Sequence, residues 1–482
     1  MKPSPPKRKS SPPPKKPKRP SKDAMAHLLA RSVQDAHGED QAATFDQSED
    51  LGSPRGYIGT RNIALDRVLG TRLPLGRVVE FFGLNASGKS TAADQVGSQC
   101  QAEGGLYGVA DTERNRSRSY MRELGVNDMS TVWIGGRTVE EFFEQLETIA
   151  RTTASLNLMA WKIALDLAGF KTANLPIYAY NVYDPFIPKK DRKKPIKKFM
   201  LYTWSMEHAV ALKKYQIANG LNPSGVRDEV TRNHLKPVVL YTGDGSAWSD
   251  QDTRKRELRD AITTFRETGE VGDLPCHYAD RPTVIAWDSV GGTPTKVESE
   301  ESAADLHVGL HARAIKQNLR RLIQILDDAA ILLVAVNQVY HMIGQQGHGG
   351  PKMNTFGGEG LKFHSCIRVE FKKIGVIKLP DDAIIGQIVN IRVVKNKLAP
   401  PFREEQFGLI FGRGADNAWA IYYDLNKRGI IKAGGGWSWF EDPSIQDRVA
   451  SKFRGWMALA NMMANDGDLY DLLAGIYMEG GR

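Results

Sequence analysis

Apolar residues fall in short, near-continuous runs from about Tyr57 onward, each followed by a stretch with helical spacing. Val78-Val-Glu-Phe-Phe82, Thr283-Val-Ile-Ala-Trp-Asp288 and Ile331-Leu-Leu-Val-Ala-Val-Asn-Gln338 read as strands, as do 106–110, 131–134 and 387–394. Residues 91–101, 119–124 and 138–152 read as helices. Strands apolar on both sides and separated by helices predict an α/β fold with a mostly parallel central sheet covered on both faces. The rhythm breaks at about 153–280. There 160–168 and 206–219 have helical spacing, 236–242 reads as a strand and 254–270 as a charged helix. We take this stretch as an inserted α+β domain between two strands of the main sheet.

Composition adds boundaries. A chain of 482 residues has room for roughly three domain-sized units, and 41% hydrophobic residues suffice for a sizeable core. No apolar run approaches the ~20 residues of a membrane span, and the N-terminus has no apolar segment of signal-peptide type. Cys100, Cys276 and Cys366 lie too far apart in sequence for a metal motif or a disulfide framework, so a reducing, cytoplasmic setting is expected. Nine lysines and arginines and no acid stand in residues 1–22, against a formal net charge of +9 for the whole chain. Everything after Lys22 therefore sums to zero. Eight prolines in the same segment favour an extended, solvated tail. It reads as a nucleic-acid arm, an import-like signal or a solubilising tail. Residues 24–34 place Met25, Leu28, Leu29 and Val33 on one side of a helix that needs a surface to cover it; a neighbouring subunit is one candidate.

The divisions that follow are a basic Pro-rich tail (1–23), a helix and linker (24–55), a first core part (56–152), the insertion (153–280), a second core part (281–435) and a short C-terminal region (436–482). Within the insertion, Pro188-Lys-Lys-Asp-Arg-Lys-Lys-Pro-Ile-Lys-Lys-Phe199 is flanked by Tyr178, Tyr180, Tyr183, Phe186, Tyr202 and Trp204. That mixture suits a nucleic-acid platform, and equally packed aromatics beside a solvated lysine loop.

The sharpest chemical signal is Gly83-Leu-Asn-Ala-Ser-Gly-Lys-Ser90, a G-x-x-x-x-G-K-[ST] phosphate loop between a strand and a helix. Its backbone N–H groups and the helix N-terminus suit triphosphate oxygens. Lys89 supplies a positive charge for the β/γ-phosphates, and Ser90 a hydroxyl for Mg²⁺. Asp288 ends an apolar strand, where an acid can hold the same metal directly or through water. Glu113, after the strand at 106–110, stands where it can position or deprotonate water; a helix N-cap acid is the plainer alternative. Gln338 ends another strand and, being uncharged, suits γ-phosphate sensing. The polar run 341–358, rich in glycine, is not expected to form a stable element alone. Lys395-Asn-Lys397 follows a strand and puts both lysines on one side of an extended chain. They form a solvated edge or reach a phosphate in the next subunit.

With these residues stand others: Asp111-Thr-Glu113, Trp287-Asp-Ser-Val290, Asp305-Leu-His-Val-Gly-Leu310, Gly357-Gly-Glu-Gly-Leu-Lys-Phe363 and Val393-Val-Lys-Asn-Lys-Leu-Ala-Pro-Pro-Phe402. Together they resemble the bacterial RecA recombinase family, phage-encoded relatives included, over about 56–149 and 281–435. The resemblance implies a RecA-like P-loop ATPase core that takes ATP and Mg²⁺. It implies helical homo-oligomers on single-stranded DNA and strand exchange with double-stranded DNA, with no membrane partner. Gly83, Asn85, Ala86, Ser87, Gly88, Lys89, Ser90 and Thr91 would cradle ATP, and Tyr120 would stack on adenine. Glu113 would be the catalytic glutamate, Gln338 the nucleotide sensor, and Lys395 and Lys397 lysines acting across the subunit interface. Two DNA loops would lie at about 299–309 and 339–357, with Arg313, Arg320, Met353, Phe356, Gly357, Gly358, Lys362 and Arg368 at the DNA. The helix at 24–34 would dock on the adjacent protomer. Ser117 stands where the family usually has an acid, and the insertion has no recognised counterpart. A hexameric helicase on the same core, or a DNA-coating protein without turnover, are the competing classes. The motif at 393–402 together with that at 357–363 favours the recombinase over the helicase, and the intact Lys89, Ser90, Glu113 and Asp288 argue against loss of turnover.

Overall fold

A computed structural model describes residues 53–167, 177–182, 197–202, 206–219, 221, 238–240, 276–278, 281–300, 309–347, 350–379 and 381–480. The basic tail, the helix expected at 24–34, the charged helix expected at 254–270 and most of the first DNA loop lie outside these residues.

In chain order, the elements are β1 (Tyr57–Ile58), α1 (Ile63–Leu69), β2 (Leu73–Pro74), β3 (Val78–Gly83), α2 (Lys89–Ala102), β4 (Leu106–Asp111), α3 (Arg118–Glu123), β5 (Thr131–Trp133) and α4 (Val139–Leu167). In the stretch taken as the insertion, β6 (Ile177–Val182) pairs with β7 (Lys197–Tyr202), α5 spans Met206–Ala218, and β8 (Val238–Leu240) pairs with β9 (Cys276–Tyr278). Then come β10 (Thr283–Asp288), α6 (Lys296–Glu300), α7 (Leu310–Asp328), β11 (Ile331–Gly347), β12 (Gly350–Thr355), α8 (Gly358–His364), β13 (Ile367–Lys378), β14 (Ile384–Asn396), β15 (Glu404–Ile410), β16 (Gly414–Asp416) and α9 (Asn417–Lys427). The C-terminal part holds β17 (Ile431–Gly434), β18 (Trp437–Phe440), α10 (Pro443–Gln446), α11 (Gly455–Asn465) and α12 (Gly467–Glu479).

One sheet organises the core, in the order β16-β15-β14-β13-β3-β11-β10-β4-β5. From β13 to β5 all neighbours are parallel, whereas β14, β15 and β16 add an antiparallel edge. The alternation of side chains along each strand divides the core in two. Val284, Ala286, Leu332 and Val334 face α1, α2 and the C-terminal helices. Ile285, Trp287, Leu333 and Ala335 face α4 and α7, where Trp287 stacks on Phe142 with ring centroids 4.6 Å apart.

Three expectations change. The helix expected at 138–152 runs on to Leu167 without a break, because no glycine or proline interrupts it and Leu158, Trp161 and Leu165 continue its buried face. The strand expected at 387–394 is antiparallel to its neighbours and lies among the strands of the antiparallel edge. The glycine-rich run after Gln338 is not structureless: β11 continues to Gly347 and returns as β12, pairing Val339 with Thr355 and His341 with Met353. Its backbone groups find partners across the hairpin, which polarity and glycine content alone do not reveal. Among the described residues no helix is long and apolar enough to cross a membrane.

The C-terminal helices pack back on the core. Leu459, Met463, Leu469, Leu473 and Tyr477 are buried in it. Arg67 of α1 pairs at 3.1 Å with both Glu405 and Asp424 and lies 4.2 Å over the Tyr477 ring. Beside α1 a cleft of about 590 Å³ is lined by Arg61, Asp66, Arg72, Arg413, Asn417 and Tyr470, among others. Burial pushes the Asp66 carboxyl up to about 6, against the Thr60 N–H it accepts from. A folded value raised above the unfolded one favours folding at low pH, and that contribution is lost as pH rises through about 6. Asp66→Asn should therefore raise stability by up to about 3 kcal/mol at pH 8, with the difference gone below about pH 4. Urea denaturation across that range checks it; a pH-independent difference would contradict the assignment.

Candidate functional site

The parallel register brings four strand ends to one edge. Gly83 of β3 pairs with Gln338 of β11, and Asp288 of β10 pairs with Val336 of β11 on one side and Asp111 of β4 on the other. The phosphate loop leaves that edge and enters α2 through Gly88, whose φ is +91°. A Cβ at Gly88 would stand 2.6 Å from Leu409 Cδ1, a contact that the leucine side chain can relieve by shifting, so it is the positive φ that favours glycine. Asn85 and Ala86 are exposed, Ser87 is buried, and Ser90 and Thr91 are half-buried in the first turn of α2. Gln387 of β14 donates to the Ala86 carbonyl at 3.0 Å and braces the loop from the antiparallel side. Lys89 is 6% exposed, and its Nζ donates to the carbonyls of Leu84 at 2.7 Å and Gly83 at 3.1 Å. Burial pulls its ammonium pKa down, while the Asp288 and Glu113 carboxylates oppose the shift.

Glu113 follows β4 and is held on several sides. Its Oε1 accepts from Gln338 Nε2 at 2.7 Å and from the Ser289 hydroxyl; its Oε2 accepts from Asn115 Nδ2 at 3.1 Å. Gly292 makes room for it, since a Cβ there would lie 2.7 Å from Glu113 Cγ. The two residues expected to position water and to sense nucleotide thus share a hydrogen bond.

From Gln338 a buried polar chain runs toward the hairpin. The Gln338 N–H donates to Asn337 Oδ1 at 2.9 Å. Asn337 is fully buried and donates through Nδ2 to Glu80 Oε1 and to the Phe356 carbonyl, each at 2.8 Å. Glu80, also fully buried, accepts from Arg368 Nε, and Arg368 Nη2 lies 3.4 Å from Thr355 Oγ1. Phe356 packs against Tyr340 with centroids 4.9 Å apart. The chain therefore links the sheet edge that carries Gly83, Gln338 and Asp288 to both ends of the hairpin.

The expected DNA residues divide. Arg313 and Arg320 are exposed on α7, and Lys362 is half-buried and paired with Glu359 at 2.6 Å. Arg368 is turned inward onto Glu80 and the Phe82 ring. Gly357 and Gly358 have φ of +82° and +62° and start α8. The side chain of Met353, and residues 301–308, lie outside the described part. Tyr120 is half-buried on α3.

Lys395 and Lys397 stand apart from the phosphate loop of their own chain. Arg368 is the register partner of both Lys395 and Glu80, and the Lys397 N–H bonds the Cys366 carbonyl while the Cys366 N–H bonds that of Val78. That is three to five residues back along β3 from Gly83, roughly 10–17 Å. Lys395 Nζ caps α8 through the carbonyls of Lys362 at 2.6 Å and Phe363 at 3.0 Å, and Lys397 Nζ lies 5.6 Å from the centroid of the exposed Phe363 ring. Burial, then Lys397 and Arg368, lower the Lys395 ammonium; burial, then Lys397, Lys395, Lys316 and Arg320, lower His364. Such a crowded cationic face favours an anionic occupant.

Sequence reasoning missed Glu80, Asn337, Ser289, Gln387 and Arg116. Glu80 carries a signal, as a single polar residue inside an apolar strand, and Asn337 stands beside Gln338 where an apolar run ends. Arg116 lies in the run Arg114-Asn-Arg-Ser-Arg118, whose alternating arginines give no reason to single it out. Its side chain is 5% exposed, and it reaches Asp288 Oδ2 at 2.9 Å.

The family model described as the RecA N-terminal domain matches residues 32–161 and 280–416. Protein RecA of Campylobacter jejuni subsp. jejuni (strain 81-176) is 31% identical over 397 residues, covering 82% of this chain and 78% of that protein. Protein RecA of Campylobacter fetus subsp. fetus (strain 82-40) is 38% identical over 170 residues, 35% of this chain and 49% of that protein. Protein RecA of Helicobacter hepaticus is 24% identical over 389 residues, 80% and 75% respectively. The matched stretches thus span about half of one relative and about three quarters of the others.

Arg368→Ala leaves the Glu80 carboxylate buried without its cation, which should cost about 3–5 kcal/mol in urea denaturation. Adding Glu80→Gln should recover much of the loss. A single variant as stable as wild type would contradict the buried pair.

Proposed function

The chain belongs to the RecA family of DNA recombinases, and from that premise we propose that it is an ATPase that assembles on single-stranded DNA and promotes pairing and exchange with a duplex. The observation that carries this reading is the 2.7 Å bond between Gln338 and Glu113, beside the phosphate loop and at the root of the hairpin.

ATP enters over the loop at 83–91, with Tyr120 against the adenine. Lys89 exchanges the carbonyls of Gly83 and Leu84 for β/γ-phosphate oxygens. Ser90 and Asp288 offer the hard oxygen donors suited to Mg²⁺, with phosphate oxygens completing the set. When bound, that ion neutralises charge developing on the phosphoryl oxygens. Glu113 orients the attacking water and accepts its proton. Gln338 shares Oε1 of Glu113. A γ-phosphate that draws the Gln338 amide toward itself removes one donor from Glu113 and leaves the carboxylate better able to take the proton. Where that pull also shifts the Gln338 backbone, whose N–H bonds Asn337 Oδ1, it reaches the hairpin that Asn337 holds.

Lys395 and Lys397 complete the site of a neighbouring protomer, because their distance from the phosphate loop of their own chain suits action in trans. Nucleotide binding and filament growth are then one event. Arg313, Arg320 and Lys362, with Met353, Phe356, Gly357 and Gly358 at the end of the hairpin, form the DNA side. Arg368 serves it indirectly, through Thr355. The helicase alternative finds no support in the relatives matched. For the stretch between the matched blocks we propose a DNA-contacting role, resting on its basic and aromatic run at 188–199.

Electron microscopy with single-stranded DNA and a non-hydrolysable ATP analogue should show helical filaments that are absent without nucleotide; closed six-membered rings would reverse the reading. Lys89→Ala should abolish ATP-dependent assembly. Glu113→Gln should slow hydrolysis by about 10²-fold or more yet retain ATP-bound filaments. Wild-type turnover in Glu113→Gln would remove the catalytic assignment. Deleting 169–279 should flatten the salt dependence of DNA affinity, and an unchanged slope would sink the DNA-contact role of that stretch.

A further inference from the structure

Arg116 is the least expected charge in the molecule. Asp111 folds the chain after β4, accepting from the N–H of Asn115 at 3.2 Å and of Arg116 at 3.0 Å. This turn sends the Arg116 side chain inward between β4, β10 and α2. There one guanidinium nitrogen bonds Asp94 of α2 and lies 3.2 Å from the Tyr107 hydroxyl; the other donates to Asp288 Oδ2 at 2.9 Å. Tyr107 in turn donates to Asp94 Oδ1 at 2.6 Å. Asp94 is 3% exposed and Tyr107 is fully buried, so water screens little of this cluster. Burial pulls the Arg116 pKa down, but Asp94, Tyr107 and Asp288 outweigh it and hold the guanidinium charged. Arg116 Nε is buried with no acceptor, so the guanidinium is not placed there merely to satisfy its own hydrogen bonds.

A phosphate loop needs no such group. A carboxylate intended for a divalent cation is better left bare if tight metal binding is the only demand. Here one oxygen of Asp288 is taken by a cation, and that cation is divided between Asp288 and Asp94. The formal charges of Asp94, Arg116 and Asp288 sum to minus one.

We propose that Arg116 is a positioning residue of the nucleotide site: shared between Asp94 and Asp288, it holds one Asp288 oxygen in an ion pair and would thereby set how much divalent cation the site requires. This role rests on the reading of Asp288 as the metal-holding acid. It makes Asp94, one turn into the helix after the loop, the remote counterweight of that setting.

The test is binding of a fluorescent non-hydrolysable ATP analogue to the full chain during titration with MgCl₂. Arg116→Gln leaves the cluster at minus two, and the half-saturating Mg²⁺ concentration should fall about tenfold. Asp94→Asn leaves the guanidinium wholly to Asp288, and the requirement should rise by a similar factor. The double variant restores minus one and should return to within about twofold of wild type. A purely structural role would move both single variants the same way, and that result, or no shift in either, would overturn the proposal. Should Arg116→Gln not fold, the sign of the Asp94→Asn shift decides alone. Wild-type binding indifferent to Mg²⁺ would instead remove the Asp288 assignment, and this role with it.

Discussion

Parallel pairing of β3, β11, β10 and β4 is the constraint on which the site depends. In a parallel sheet every strand points the same way, so the groups that end the strands collect at one edge. The register sets Gly83 beside Gln338 and Asp288 beside Asp111. A slip of one residue in β11 would turn Gln338 to the opposite face and exchange Leu333 and Ala335 with Val334 and Val336 between the two cores. The hydrophobic pattern that holds the sheet is thus also what brings Gln338 to Glu113.

The polar chain from Glu113 through Gln338 and Asn337 to Glu80 and Arg368 lies where polar groups are costly unless satisfied. Its members are mutually satisfied, and that makes it stiff. A shift of the Gln338 backbone is passed on, because the Asn337 side chain that accepts its N–H also holds the Phe356 carbonyl at the end of the hairpin. The two lysines of the KNK run lie at the other end of the sheet. On the proposed reading one edge of a protomer takes phosphate and the opposite end offers cations, an arrangement that suits head-to-tail assembly.

Much of this was legible in the chain. The placement of the glycine-rich loop before α2, of the strand-end acids and of Gln338 at one sheet edge follows from short motifs whose spacing has a physical reason, and six strands of the main sheet were marked by apolar runs. What escaped notice has a common cause. The hairpin after Gln338 takes its order from pairing, and no apolar period announces pairing between glycine-rich segments. The extension of α4 to Leu167 and the docking of α11 and α12 depend on surfaces distant in sequence. Arg116 and Asp94 are a contact between residues 22 apart on different elements, so neither signals the other. The family resemblance puts Arg368 at the DNA, and the buried Glu80 explains why its side chain turns inward.

The central claim is that nucleotide and DNA are coupled through the side chain of Gln338. The most direct measurement is steady-state ATP hydrolysis, with and without single-stranded DNA, in wild type and in Gln338→Ala at saturating ATP. DNA should stimulate the wild type, whereas Gln338→Ala should still bind ATP but hydrolyse it at one slow rate whether or not DNA is present. Equal stimulation of both proteins would contradict it.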